Sequence, residues 1–176
     1  TNTAPSNLCD SYIYYRLYIT ANGGASYAVD GATKSPRNPT VSFTDADGVV
    51  SVTCGACSGT VCGRCSASAC DASQGCADCA FTNACTKVWT TYRTGSHIPA
   101  WLKYQFESSK RISGYRVESS GNPVVSITAW RFEGSNDGST WATLDTKTSQ
   151  DTSGKRQSYT LGCTTVTTET TKFRVN

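Results

Sequence analysis

Trp130-Arg-Phe-Glu-Gly-Ser-Asn-Asp-Gly-Ser-Thr-Trp141 is the stretch whose reading decides the fold. Apolar and polar residues alternate from Ile127 to Gly134 and again from Thr140 to Leu144, with Asn136-Asp137-Gly138 between the two runs. Successive side chains of a strand point to opposite faces, so alternation of this kind buries one face and wets the other. Asp-Gly between two such runs supplies the backbone conformations that a tight hairpin needs. Upstream, Trp101-Leu-Lys-Tyr-Gln-Phe106 alternates again, and Arg111-Ile-Ser-Gly-Tyr-Arg-Val117 follows after a polar turn. Near the start, Tyr12 to Thr20 places Ile, Leu and Tyr at strand-forming positions, and Asn22-Gly23-Gly24 marks a turn. Val41-Ser-Phe43 and Val49 to Thr53 read as a hairpin closed by Asp45-Ala-Asp-Gly48. Apolar residues do not recur three and four apart in any window, so no helix is predicted. Short strands at regular spacing point to an all-β, antiparallel sandwich or barrel.

The chain has 176 residues, enough for one domain with a sizeable core. Its net charge of +3 is mild and its basic residues are scattered, so no phosphate-binding stripe and no nucleic-acid partner are predicted. An apolar run of about 18 residues, as a membrane span needs, is also missing. The start on Thr1 fits a secretory protein whose leader has been removed. Ten cysteines sharpen that reading. Cys54, Cys57, Cys62, Cys65, Cys70, Cys76, Cys79 and Cys85 fall within 32 residues, while Cys9 and Cys163 sit near the two ends. An even count, dense spacing and no methionine fit disulfides in an oxidising, extracellular setting.

Three Cys-x-x-Cys pairs stand in that cluster: Cys54/Cys57, Cys62/Cys65 and Cys76/Cys79. Zinc is the competing reading, but the spacer between the first two pairs is far shorter than the roughly 15 residues of zinc ribbons. A redox-active pair would need a helix start in a parallel-sheet setting, which the pattern lacks. The Gly, Ala, Ser and Thr around the cysteines cannot pack a core of their own, so the segment is expected to be a cross-linked knob on the sandwich surface. Trp101, Trp130 and Trp141 fall on strand pattern and are expected in the core. With a single histidine, and neither Gly-x-Ser-x-Gly nor His-Glu-x-x-His, nothing points to catalysis or a cofactor.

The order of these motifs resembles the discoidin family, which includes the C-type domains of coagulation factors and bacterial carbohydrate-binding relatives. The likeness runs from Val88 to Val175, with Tyr27-Ala-Val-Asp-Gly-Ala-Thr33 similar to the family's entry motif. It implies a jelly-roll sandwich of galactose-binding-like type, carrying the cysteine-rich stretch 54–85 as an insertion. It also implies an end-to-end disulfide between Cys9 and Cys163, and a calcium loop at Asp30 and Thr33. In sugar-binding relatives the loop before the Trp-Leu strand forms part of the site, which here places Tyr92, Arg93 and His97 against a glycan. Tyr14, Tyr15, Leu17, Tyr18 and Ile19 resemble the family's closing strand, which normally stands last and here comes first. That strand either folds back into its own sheet or completes a neighbour's. Two functions therefore compete: a self-associating structural or adhesive subunit of a fibre, sheath or matrix, and a lectin-like carbohydrate-binding module.

Overall fold

A computed structural model gives the fold for residues 10–22, 40–70, 76–82, 89, 99–119, 127–152 and 156–162. Strand β1 (Tyr12–Asn22) is the organiser. Its alternation sends Tyr15, Leu17 and Ile19 into the core and leaves Tyr14, Arg16 and Tyr18 on the opposite face. It pairs antiparallel on one side with β7 (Ala100–Lys110) and on the other with β9 (Ile127–Ser135). The strand that resembles a closing strand is thus central to its own sheet and leaves no gap there. β10 (Ala142–Lys147) closes the predicted hairpin onto β9. In the turn between them, Asp137 Oδ1 accepts the amides of Ser139 and Thr140, each at 2.7 Å, and Gly138 takes a φ of +73°. That left-handed backbone favours glycine, which is why Asp-Gly was a usable signal.

The cysteine-rich segment corrects the expectation of a surface knob. β4 (Cys57–Ser58), β5 (Val61–Cys62) and β6 (Cys65–Ala67) form a small meander, and β6 pairs with β7. The large sheet therefore runs β10-β9-β1-β7-β6-β5-β4. Cys62, Cys65 and Ala67 are buried in the common core. Small side chains suit this role, because pairing with β7 supplies order that the segment's own apolar area cannot. Gly63 turns β5 into β6 at a φ of +59°, and an added Cβ there would stand 2.5 Å from the Gly55 nitrogen. A one-turn helix, α1 (Asp78–Phe81), corrects the all-strand expectation; it is too short for any periodicity to reveal.

A second sheet faces the first, with order β11-β8-β2-β3. It contains β2 (Thr40–Asp45), β3 (Gly48–Val49), β8 (Gly114–Glu118) and β11 (Arg156–Thr160). Every strand pair in both sheets is antiparallel. Rings join the layers: Tyr115 of β8 stacks on Phe132 of β9 at 4.1 Å, and Phe43 of β2 meets Tyr15, Phe106 and Phe132 at 5.7–6.1 Å. Aromatic pairs of this kind add about 0.5–1.5 kcal/mol each beyond the area they bury. Two of the buried polar tips are satisfied in a chain, with Trp130 Nε1 donating to Tyr115 Oη at 3.0 Å and Tyr115 Oη donating to Asp145 at 2.8 Å. No helix among the described residues is long and apolar enough to cross a membrane.

Candidate functional site

Strand parity places a second set of aromatics on the outside of the large sheet. Trp101 and Lys103 of β7 share a face with Tyr14, Arg16 and Tyr18 of β1 and with Arg131 and Glu133 of β9. The register sets Tyr18 opposite both Trp101 and Arg131, and Arg16 opposite both Lys103 and Glu133. Directly opposed side chains of neighbouring strands stand close enough to touch. Trp141, just before β10, joins the row through Arg16, whose Cζ lies 4.0 Å from its ring centroid. Trp101 and Trp141 are partly exposed, which corrects the expectation that they fill the core; Trp130 is fully buried, as expected.

Cations are threaded between these rings. Tyr18 carries the Arg16 guanidinium at 5.0 Å and that of Arg131 at 4.4 Å. Lys103 Nζ lies 5.4 Å from the Trp101 ring and 5.6 Å from the Tyr14 ring. Glu133, only 3% exposed, receives Arg16 on one oxygen and Arg131 on the other, the latter at 2.9 Å. That bond holds the Arg131 guanidinium in its charged form, above its ordinary range. Lys103 has no carboxylate partner among the described residues, and burial followed by the nearby Arg16 charge lowers its pKa. Three cations against one carboxylate leave this patch with a surplus of two positive charges.

The hairpin turn stiffens one end of the row. Gly138 packs under the Tyr14 ring, so a Cβ there would meet ring atoms at 3.4–3.6 Å. The Thr140 and Ser139 amides hold the Asp137 carboxyl well below the usual carboxylate range. Chemically, the face offers partly exposed rings for the C–H faces of sugars and an ammonium for an anion. Such a combination of an aromatic floor with few polar groups is what saccharide sites use.

No family model, curated protein or solved structure matches this chain.

The cysteines are joined as Cys54–Cys65, Cys57–Cys62 and Cys70–Cys76, and Cys79 is also disulfide-bonded. None of these three bridges closes a Cys-x-x-Cys pair. Sulfur atoms of Cys57, Cys62 and Cys76 lie within 4.8 Å of one another, but all three are oxidised and carry no thiolate for a metal. Several disulfides suggest an oxidising environment. The expected glycan residues Tyr92, Arg93 and His97 lie outside the described residues, as do Asp30 and Thr33, and Cys9, Cys85 and Cys163. Sequence reasoning missed Arg16, Trp101, Lys103, Arg131 and Trp141 as one surface. The signal was present in parity: Trp101 shares its face with Lys103 and Gln105, and Tyr14 and Tyr18 share theirs with Arg16.

Proposed function

We propose that this chain is a non-catalytic structural and adhesive module of extracellular material, holding acidic polysaccharide on the exposed face of its large sheet. The observation that carries the reading is Lys103, a cation with no carboxylate partner among the described residues, set between two partly exposed rings. A uronate carboxylate reaching that ammonium would lay its ring against Trp101 or Tyr14. The surplus positive charge also argues against two copies pairing through this face, since like charges brought together repel. Two facing antiparallel sheets are compatible with the galactose-binding-like jelly roll that the resemblance implies. The cross-linked edge of the large sheet suits a part that must endure outside the cell.

Co-sedimentation with cross-linked polygalacturonate, beside uncharged dextran, tests this reading. The protein is expected to pellet with the polyuronate alone, and to be released by several hundred millimolar salt. The paired substitution Trp101→Ala with Lys103→Gln is expected to abolish retention. Equal retention by both polymers, or undiminished retention of the variant, would overturn the assignment. So would equal competition by a thymidine oligonucleotide, which would show charge attraction without saccharide recognition.

Self-assembly by exchange of β1 is a second reading, favoured by one observation. β1 precedes every other described strand in the sequence and yet occupies the middle of the large sheet. The same slot offered by a neighbour would accept the same strand, and head-to-tail exchange that does not close builds filaments. A subunit lacking residues 1–24 is expected to be assembly-deficient and to be completed by a peptide of that segment. Continued polymerisation of the truncated subunit would rule exchange out.

A further inference from the structure

Two disulfides meet at the outer edge of the large sheet. β4 is the last strand of that sheet, and its Cys57 stands directly opposite Cys62 of β5. The bridge between them has an exposed end at Cys57 and a fully buried end at Cys62. The Cys70–Cys76 bridge comes up beside it, with Cys76 Sγ within 4.8 Å of both Cys57 Sγ and Cys62 Sγ. Cys76 Sγ also lies 3.2 Å from the carbonyl oxygen of Gly59, in the turn that joins β4 to β5, so the second bridge is seated against the first. Cys54–Cys65 fastens the same segment independently. Disulfides exchange when a thiolate attacks one sulfur and the other leaves, and exposed bridges are the labile ones. Of this bridge's two ends, access favours Cys57.

We infer that the paired bridges Cys57–Cys62 and Cys70–Cys76 form a covalent docking site for a cysteine-bearing partner, which is captured at Cys57 while the displaced thiol is handed on to Cys70. The partner's thiolate attacks Cys57 Sγ and forms a mixed disulfide there. The Cys57–Cys62 bond breaks, and its electron pair leaves on Cys62 Sγ. Asp78 Oδ1 lies 3.7 Å from that sulfur, and a neighbouring carboxylate disfavours a thiolate. Rotation about one bond moves a cysteine sulfur, which brings Cys62 Sγ to Cys76 Sγ across the short gap. The Cys62–Cys76 bond forms, the Cys70–Cys76 bond breaks, and Cys70 takes up the proton that the partner's thiol gave to solvent. Two bridges and one thiol become two bridges and one thiol, so no outside oxidant or reductant is consumed. With Cys62 bonded to Cys76, the group best placed to expel the partner is no longer a thiolate. Such fastening goes beyond polysaccharide adhesion and rests on that reading only for the extracellular setting.

Incubation of the intact protein with the reduced peptide N-acetyl-Gly-Cys-Gly amide at about pH 8, near the thiol pKa, tests the site. Acid quenching, alkylation and peptide mapping then locate every sulfur. The expected product carries one peptide, on Cys57, with a new Cys62–Cys76 cross-link, an alkylated Cys70 and an unchanged Cys54–Cys65 bridge. In a Cys70→Ser, Cys76→Ser variant, Cys62 has no second bridge to attack and returns to the mixed disulfide. Peptide retained after dilution is therefore expected to fall at least about tenfold. The Trp101→Ala, Lys103→Gln variant is expected to couple as the parent does, so loss of polyuronate binding and loss of coupling are told apart. No adduct, a peptide on any other cysteine, or an alkylated Cys62 in place of Cys70 overturns the relay.

Discussion

Replacing Cys54 and Cys65 together by alanine probes how the cysteine-rich segment is held in the large sheet. Their bridge spans 11 residues of sequence, and loop-closure entropy for that length gives about 2.8 kcal/mol. The Cys57–Cys62 bridge lies inside this loop and shortens the path between Cys54 and Cys65. With the inner bridge intact the effective loop is roughly seven residues, which lowers the expected loss to about 2.4 kcal/mol. Removing the inner bridge alone, with the outer one intact, is expected to cost about 1.7 kcal/mol by the same loop argument. In a chain of this size each kcal/mol moves the midpoint by about 2–4 °C, so the outer-bridge variant should melt about 5–10 °C lower. Calorimetry in oxidising buffer measures this directly. Hydrogen exchange adds the location: the amides of Ala67 and Ser68, bonded to Thr60 and Trp101 carbonyls, should lose protection before Leu17 in the middle of β1 does. An unchanged midpoint, or a larger loss from the inner bridge than from the outer one, would refute the reasoning.

Gly134→Ala places a methyl 2.5–2.9 Å from three atoms of the Tyr12 ring, which is itself packed in the core, and is expected to cost about 1–3 kcal/mol. Urea unfolding monitored by circular dichroism checks it, and a midpoint equal to the parent's would contradict the packing described. Burial raises the Tyr15 pKa to about 12, while its hydroxyl donates to the Lys110 carbonyl at 2.6 Å. A raised folded-state value means that this contribution is fully present below pH 10 and is lost as pH climbs toward 12. Stability should therefore fall between pH 10 and 12, and Tyr15→Phe should make that decline shallower; equal slopes in urea midpoints would count against it.

Much of the sheet was legible because its strands bury one face only. β1, β7, β9 and the turn at Asp137 follow from alternation and from the backbone needs of Asp-Gly. β4 to β6 were not legible, since Cys, Ser, Gly and Ala give no alternating contrast; their strand character comes from pairing with one another and, through β6, with β7. The aromatic face was misread for a related reason. Tryptophan on a strand suggests the core, yet Trp101 follows the parity of Lys103 and Trp141 meets Arg16, so both rings lie among surface cations.

The four tryptophans provide the most direct test of the adhesive face. Trp101 and Trp141 lie on it, whereas Trp89 and Trp130 are buried, their indole N–H groups donating to the Ala69 carbonyl and to Tyr115 Oη. Indole Nε1–H resonances should be recorded while a short oligogalacturonate is added. The account predicts saturable shifts of the Trp101 and Trp141 signals, with those of Trp89 and Trp130 unmoved. Saturable binding that leaves the Trp101 and Trp141 signals in place, or no binding at all, would contradict it.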